Sequence, residues 1–316
     1  MTRLQRILYS NSPLPYLKRR SKTVYLPGFQ GLCLHDVLRF FANQIQWQSL
    51  TERAAAISYN IIMALPPSLL FLFTIIPSLP FIPKKSIKIQ LHEFIIDVIP
   101  SKVHNDDIIN FVDQFIDNTR VDLISFGLLF SLFFASNAMM GFIRSFNRDY
   151  PGFEKRKGLA KRGIAIKLTI LIFGLFFTYL VLIITQGRVL DLIVQNRFWN
   201  NFIYYSRWVL IVLLVFMVIA LIFRYAPSVQ KRWRFISPGA VMATVLSLVA
   251  SVGFSLFVNN FGRYNALYGA IGTIMVLTAL IFINAIALLI GFELNVSINS
   301  LRSIRDKRDR KIPTIN

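Results

Sequence analysis

The chain has 316 residues, 55% of them hydrophobic, with 35 Lys and Arg against 15 Asp and Glu, a formal net charge of +20 and a mean hydropathy of +0.55. One cysteine, Cys33, excludes an intramolecular disulfide framework and any cysteine metal cluster within one chain. Long stretches almost free of charge alternate with short charged blocks, and several reach the roughly 20 apolar residues a helix needs to cross a bilayer core, which points away from a soluble domain.

Residues 1–30 read as a basic cytoplasmic arm carrying Arg3, Arg6, Lys18, Arg19, Arg20 and Lys22, with Pro13 and Pro15 discouraging a helix. Residues 1–27 show no apolar signal-peptide core, so the first hydrophobic span is expected to act as the insertion signal. Over 31–48, Leu34, Val37, Leu38, Phe41 and Ile45 recur at helical spacing, as in a helix lying in the membrane interface. A first span is predicted from Ala54 to Pro83. Pro66 and Pro67 in its middle remove backbone donors and are expected to kink or break it. Within a membrane such a break survives only where protein or water meets the freed carbonyls.

Residues 84–120 read as an outer amphipathic loop of two short helices separated by Pro100, with Leu91, Phe94, Ile95, Val98 and Ile99 on one apolar face and Ile108, Val112, Phe115 and Ile116 on the other. Five further spans are predicted at Val121–Ile143, Ile164–Gln186, Trp208–Phe223, Gly239–Val258 and Leu267–Val296. The expected architecture is an all-α integral membrane protein. It has a six-transmembrane-helix bundle with amphipathic interfacial helices over residues 31–300, and a basic cytoplasmic tail over 301–316.

Lysine and arginine placement sets the expected orientation. With both termini inside, 26 of the 35 basic residues and seven of the 15 acidic ones face the cytoplasm, a net charge of +19, against +1 outside. The same distribution answers a nucleic-acid reading of the pI near 10.4. The bases lie along every inner edge next to spans, which fits topology and contact with anionic lipid. No nucleic-acid partner is therefore expected.

Polar residues inside spans are costly in hydrocarbon and are expected to face the bundle interior: Ser58, Tyr59 and Asn60 in the first span, Asn137 in the second, Asn284, Glu293 and Asn295 in the last. Topology brings Arg53, Arg144, Asn147, Arg148, Tyr225, Glu293 and Asn295 to one depth at the inner mouth, where they form the candidate substrate-binding cluster. A buried Glu293 needs a cation, and Arg53 and Arg144 are its natural partners. Arginines left over would grip a phosphate or carboxylate headgroup, and a purely structural ion pair with snorkelling arginines is the competing reading. Gly239, Ala243, Ser247, Ser251 and Ser255 recur every four residues, and Gly269 and Gly272 open the last span. Both sets read as close helix-packing surfaces. The histidines, His35, His92 and His104, lie far apart outside the spans. No HExxH, GxSxG or P-loop pattern is present, so no metal, cofactor or catalytic residue is expected.

Several runs in order resemble the YihY/virulence factor BrkB family of bacterial inner-membrane proteins: Arg53-Ala54-Ala55-Ala56-Ile57-Ser58-Tyr59 continuing to Leu65-Pro66-Pro67, then Gly141 to Arg148, Arg224-Tyr225-Ala226-Pro227, Pro238-Gly239-Ala240, Tyr264 to Gly272, and Gly291-Phe292-Glu293-Leu294-Asn295. The resemblance covers about residues 35–300 and implies a six-helix protein of the inner membrane. Members have been labelled as a tRNA-processing ribonuclease and as virulence or serum-resistance factors, and some are linked to export of lipid A-type precursors. The expected function is transporter-like handling of an anionic, lipidic envelope component. Membrane lipids are the expected partners, with a second copy of the chain or envelope proteins as candidates. A membrane scaffold for envelope assembly is the alternative, and an intramembrane enzyme ranks third.

Overall fold

A computed structural model describes residues 24–25, 27–75, 88–89, 92, 109–110, 113, 124–147, 150, 153–154, 156–193, 197–229, 232–260 and 263–311. Eight helices stand among them: α1 (Leu34–Gln44), α2 (Trp47–Ile75), α3 (Ile124–Ala135), α4 (Asn137–Phe146), α5 (Gly158–Ile193), α6 (Arg197–Tyr225), α7 (Pro238–Asn260) and α8 (Arg263–Lys311). The one β-bridge among the described residues joins Phe153 to Val229. Among the described residues, four stretches are long and apolar enough to cross a membrane: Trp47–Phe71, Leu129–Phe146, Pro238–Val258 and Ile274–Asp306. Val209–Tyr225, the C-terminal part of α6, is a shorter apolar stretch. The protein is thus an all-helical membrane protein. The arm at 1–23 and most of the 84–120 loop lie outside the described residues.

The helices outrun the hydrophobic spans that predict them. The 49 residues of α8 continue through 301 into the basic tail, about 73 Å at 1.5 Å per residue. Its extension carries α1, whose buried Val37 packs with Phe29, Leu32, Leu294 and Ile298. Arg302 donates to Gln30 Oε1 (2.8 Å) and Arg305 to the Gly31 carbonyl (3.2 Å), tying the 27–33 loop to the same helix. Gly28 holds φ +93° there, and a Cβ on it would lie 2.9 Å from Pro238 Cγ, so both backbone and space demand glycine.

The interruption expected in the first span is absent. Helix α2 runs unbroken through Pro66 and Pro67 to Ile75. Each proline removes one donor, so only the carbonyls of Ile62 and Met63 lose their i+4 partners, and the ladder on either side holds the helix. The discontinuity falls in the second span instead. A turn at Ser136 separates α3 from α4, and Ser136 Oγ donates to the Phe133 carbonyl at 2.6 Å.

Helices α7 and α8 share the most extensive helix interface among the described residues. A Cβ on Gly239 would stand 2.6 Å from Asn295 Cγ, and one on Gly291 would stand 2.6 Å from Ala243 Cβ. The two backbones therefore cross where only hydrogen fits. Ala243 and Ser247 are buried along the same seam, and Asn284 Nδ2 donates to Ser251 Oγ at 3.2 Å further along it. Ser255 is exposed. Gly272 is buried; Gly269 lies in α8, its packing outside what is described.

Candidate functional site

Most of the buried core gathers at one end of the bundle, where α4 and α6 finish and α5 and α7 begin. Phe146 and Phe292 stack there with centroids 4.0 Å apart and planes 4° from parallel, and Phe223, Trp233, Phe153 and Tyr150 pack around Phe292. These rings form one packed aromatic plug at that end of the bundle.

Beside the plug lies a buried ion pair. Arg53 Nη2 meets Glu293 Oε1 at 2.5 Å, with side chains 12% and 4% exposed. Tyr150 donates to the same oxygen (2.6 Å) and accepts from Arg53 Nη1 (3.2 Å), while Arg53 also donates to the carbonyls of Ser49 (3.3 Å) and Ser145 (3.4 Å). A charge pair out of water is tolerable only when its remaining donors and acceptors are also met, and these contacts meet them. Burial first, then the Glu293 carboxylate, push the Tyr150 phenol up to about 12, so it stays a donor. Arg53 is thereby neutralised and has little to offer a ligand.

Asn295 and Asn147, both expected among the substrate-binding residues, hold backbone. Asn295 Oδ1 accepts from the Gly239 amide (2.9 Å) and its Nδ2 donates to Ser237 Oγ (2.9 Å), which in turn accepts from the Ala240 amide, so Asn295 caps the start of α7. Asn147 accepts from the Ser228 amide at 2.7 Å and donates to the Ala226 carbonyl at 3.4 Å. Together with the bond from the Glu154 amide to the Ser228 carbonyl (2.8 Å), this joins the loops that follow α4 and α6. Arg148 lies outside the described residues.

The polar residues within the spans divide. Ser58 is buried and donates to the Ala54 carbonyl, as expected of an inward residue. Tyr59 points out of the bundle at 63% exposure, against expectation. At about 100° per residue Tyr59 stands about 100° round the helix from Ser58 and about 200° from Ile57, which turns it off the face those two residues bury. Asn60 satisfies itself on the Ala56 carbonyl (2.7 Å) against Gly141, where a Cβ would come 2.7 Å from its own.

Arg162, in the sequence only one of the basic residues that set the topology, reaches across to the turn in the second span. Its Nη1 donates to Asn137 Oδ1 (2.7 Å), its Nη2 to the Phe133 carbonyl (2.5 Å), and its guanidinium lies 3.6 Å over the Phe133 ring. Arg144, exposed at the end of α4, is near enough to act on it electrostatically.

A second group of cations surrounds Tyr225. Lys167 Nζ, Arg232 Cζ and Arg224 Cζ stand 5.2, 5.3 and 5.9 Å from its ring centroid. Arg156 donates to the carbonyls of Tyr225, Ala226 and Pro227 at 2.8–3.3 Å, capping the C-terminal end of α6. Burial, then the Arg232 charge, hold Arg156 below the ordinary arginine value, with Glu154 opposing them. Among the described residues, Lys167, Arg224 and Arg232 form no salt bridge. In the 84–120 segment, His92 Nε2 contacts Asp113 Oδ1 at 3.0 Å, with Lys88 at 3.7 Å from the same oxygen. No three His, Cys, Asp or Glu side chains gather among the described residues, and His104 lies outside them.

The family described as "Virulence factor BrkB" matches residues 41–313. The chain belongs to the BrkB family. A ribonuclease-like protein of Bacillus subtilis, YfkH, is 28% identical to it over 279 residues, 81% of this chain and 92% of that protein. A UPF0761 membrane protein of Rhodospirillum centenum is 27% identical over 290 residues, 88% of this chain but 60% of the longer relative. One from Tolumonas auensis is 30% identical over 93 residues, 29% of this chain and 31% of that protein. No solved structure matches. The family match takes in Arg53, Arg144, Tyr225 and Glu293, and membership agrees with the resemblance seen in the sequence.

Proposed function

We propose that this BrkB-family chain sits in the bacterial inner membrane as a six-span bundle with both termini cytoplasmic, and that it handles or moves an anionic, lipidic envelope component. It is not proposed as an enzyme. The observation that carries the reading is the set of cations around Tyr225: three charges, Lys167, Arg224 and Arg232, with no carboxylate paired to them among the described residues. The ring faces and the carbonyl end of α6 hold these charges close together, and a phosphate would relieve their mutual repulsion while accepting several charge-assisted hydrogen bonds. Arg144, exposed beside Arg162, extends the cationic edge. The positive-inside count supports the orientation, and the amphipathic pattern of α1 supports its place in the interface.

The aromatic plug bears on the route. Because the rings around Phe292 pack against one another and the cations around Tyr225 lie at the helix ends beside them, a headgroup on this reading travels along the outside of the bundle. The same close packing favours the second reading, a scaffold for envelope assembly that holds anionic lipid without moving it.

Lipid movement in proteoliposomes tests the proposal. Labelled anionic and zwitterionic lipids are followed across the bilayer for the wild type, Lys167→Gln with Arg232→Gln, and Arg144→Ala. Protein-dependent movement that favours anionic lipid and drops about tenfold in the folded variants supports it, a drop equivalent to losing about one charge-assisted hydrogen bond. No movement above empty liposomes, from a well-folded wild type, overturns transport in favour of the scaffold.

A further inference from the structure

A groove of about 870 Å³ opens at the start of α7, on the side of Arg224 that faces Phe235. Its walls include Phe29, Phe235, Val241 and Leu294, and Arg224 and Arg234 supply its charge. The Arg224 guanidinium lies 4.2 Å over the Phe235 ring, and its Nε is buried with no hydrogen-bond partner among the described residues. Ile236 beside it is 74% exposed. From the groove an exposed apolar track climbs α7 through Val241, Val245, Val249 and Val252.

We infer that this groove is a binding site for one anionic glycerophospholipid, its phosphate between Arg224 and Arg234 and one acyl chain along the valine track. Three features select this occupant. The groove lies where the hydrophobic span Pro238–Val258 begins, the depth at which a lipid phosphate sits. Its polar end is cationic while its walls are apolar, so it matches an amphiphile; a soluble phosphate ester would leave the walls unused. The track also has the right length. Val241 to Val252 rises about 16 Å at 1.5 Å per residue, and one leaflet of a roughly 30 Å hydrocarbon core is about 15 Å thick.

The inference extends the proposed function but stands without it, since a held lipid need not be a moved one. Native mass spectrometry of the purified full chain reads it directly, with phosphatidylglycerol, phosphatidylcholine and glycerol phosphate as probes. The expected result is a bound phosphatidylglycerol preferred over phosphatidylcholine by about tenfold, with glycerol phosphate failing to displace it. Arg224→Gln with Arg234→Gln should abolish the preference. Val241→Trp, a substitution at an exposed position that fills the groove and spares both arginines, should lower occupancy of either lipid. Equal binding of the two lipids by the wild type, displacement by glycerol phosphate at matched concentration, or unchanged adducts in both variants would each overturn the groove. A chain that retains phosphatidylglycerol there but moves no lipid in proteoliposomes overturns only transport, and one that moves lipid without the preference overturns only the groove.

Discussion

Arg53 and the cations around Tyr225 sit at the same end of the bundle and have opposite fates. Arg53 is nearly buried, and its charge is met by Glu293, Tyr150 and two carbonyls. Lys167, Arg224 and Arg232 gather on an aromatic face with no salt bridge among the described residues. The difference teaches that position in a membrane protein does not make an arginine a ligand site. What matters is whether the fold has already supplied its counter-charge. The first set is expected to govern stability and the second binding, and each expectation is open to test.

The largest effect is expected at the ion pair. Arg53→Ala leaves Glu293 buried without its cation and should cost about 3–5 kcal/mol, read as a fall in the melting temperature of detergent-solubilised protein. Arg53→Met combined with Glu293→Leu should recover most of that loss, because no lone charge remains. A double variant as unstable as the single would show that the pair does more than neutralise itself.

Next comes the helix crossing. Gly291→Ala drives a Cβ into Ala243 and the Gly239 backbone, and overpacking of that kind costs about 1–3 kcal/mol. Glycine-to-alanine at Gly174, where a Cβ would meet nothing within 4 Å, is the matched control and should hold or raise the melting temperature.

Tyr150 offers a smaller effect with a pH signature. Its folded value of about 12 lies above the ordinary 10.0, so the fold favours the neutral phenol. That contribution is whole below about pH 10 and is lost as pH climbs from 10 towards 12. Tyr150→Phe should cost about 1 kcal/mol near neutrality. In an ultraviolet titration, the absorbance missing from the variant should appear near pH 12. If it appears near pH 10, the phenol is not held by Glu293.

The smallest stability change is expected from Lys167→Gln with Arg232→Gln, whose side chains are exposed. Their melting temperature should stay near that of the wild type while discrimination between anionic and zwitterionic lipid falls. A large loss of stability instead would move these cations into the same class as Arg53.

Part of this contrast is legible in the residues themselves. Glu293 inside an apolar span demands a cation, and Arg53 at the mouth of another span is one of two that can reach it. Tyr150 carries no such signal, because a loop residue acquires its partner only when the loop folds over the plug. Asn147 and Asn295 look like ligand-binding groups by residue type, and only the fold shows them bonded to the amides of Ser228 and Gly239. The prolines mislead in the other direction: a helix of 29 residues survives two missing donors, while Ser136, a residue with no breaking propensity to match, marks the turn.

By itself, the sequence determined that this is a helical membrane protein of the BrkB family and which segments are apolar, because hydrocarbon penalises charge residue by residue and leaves its mark on composition. Only the tertiary structure decided which arginines are already paired, where the second span turns and which glycines touch. Those outcomes depend on distances between helices far apart in the chain, and no local pattern of residues encodes such distances.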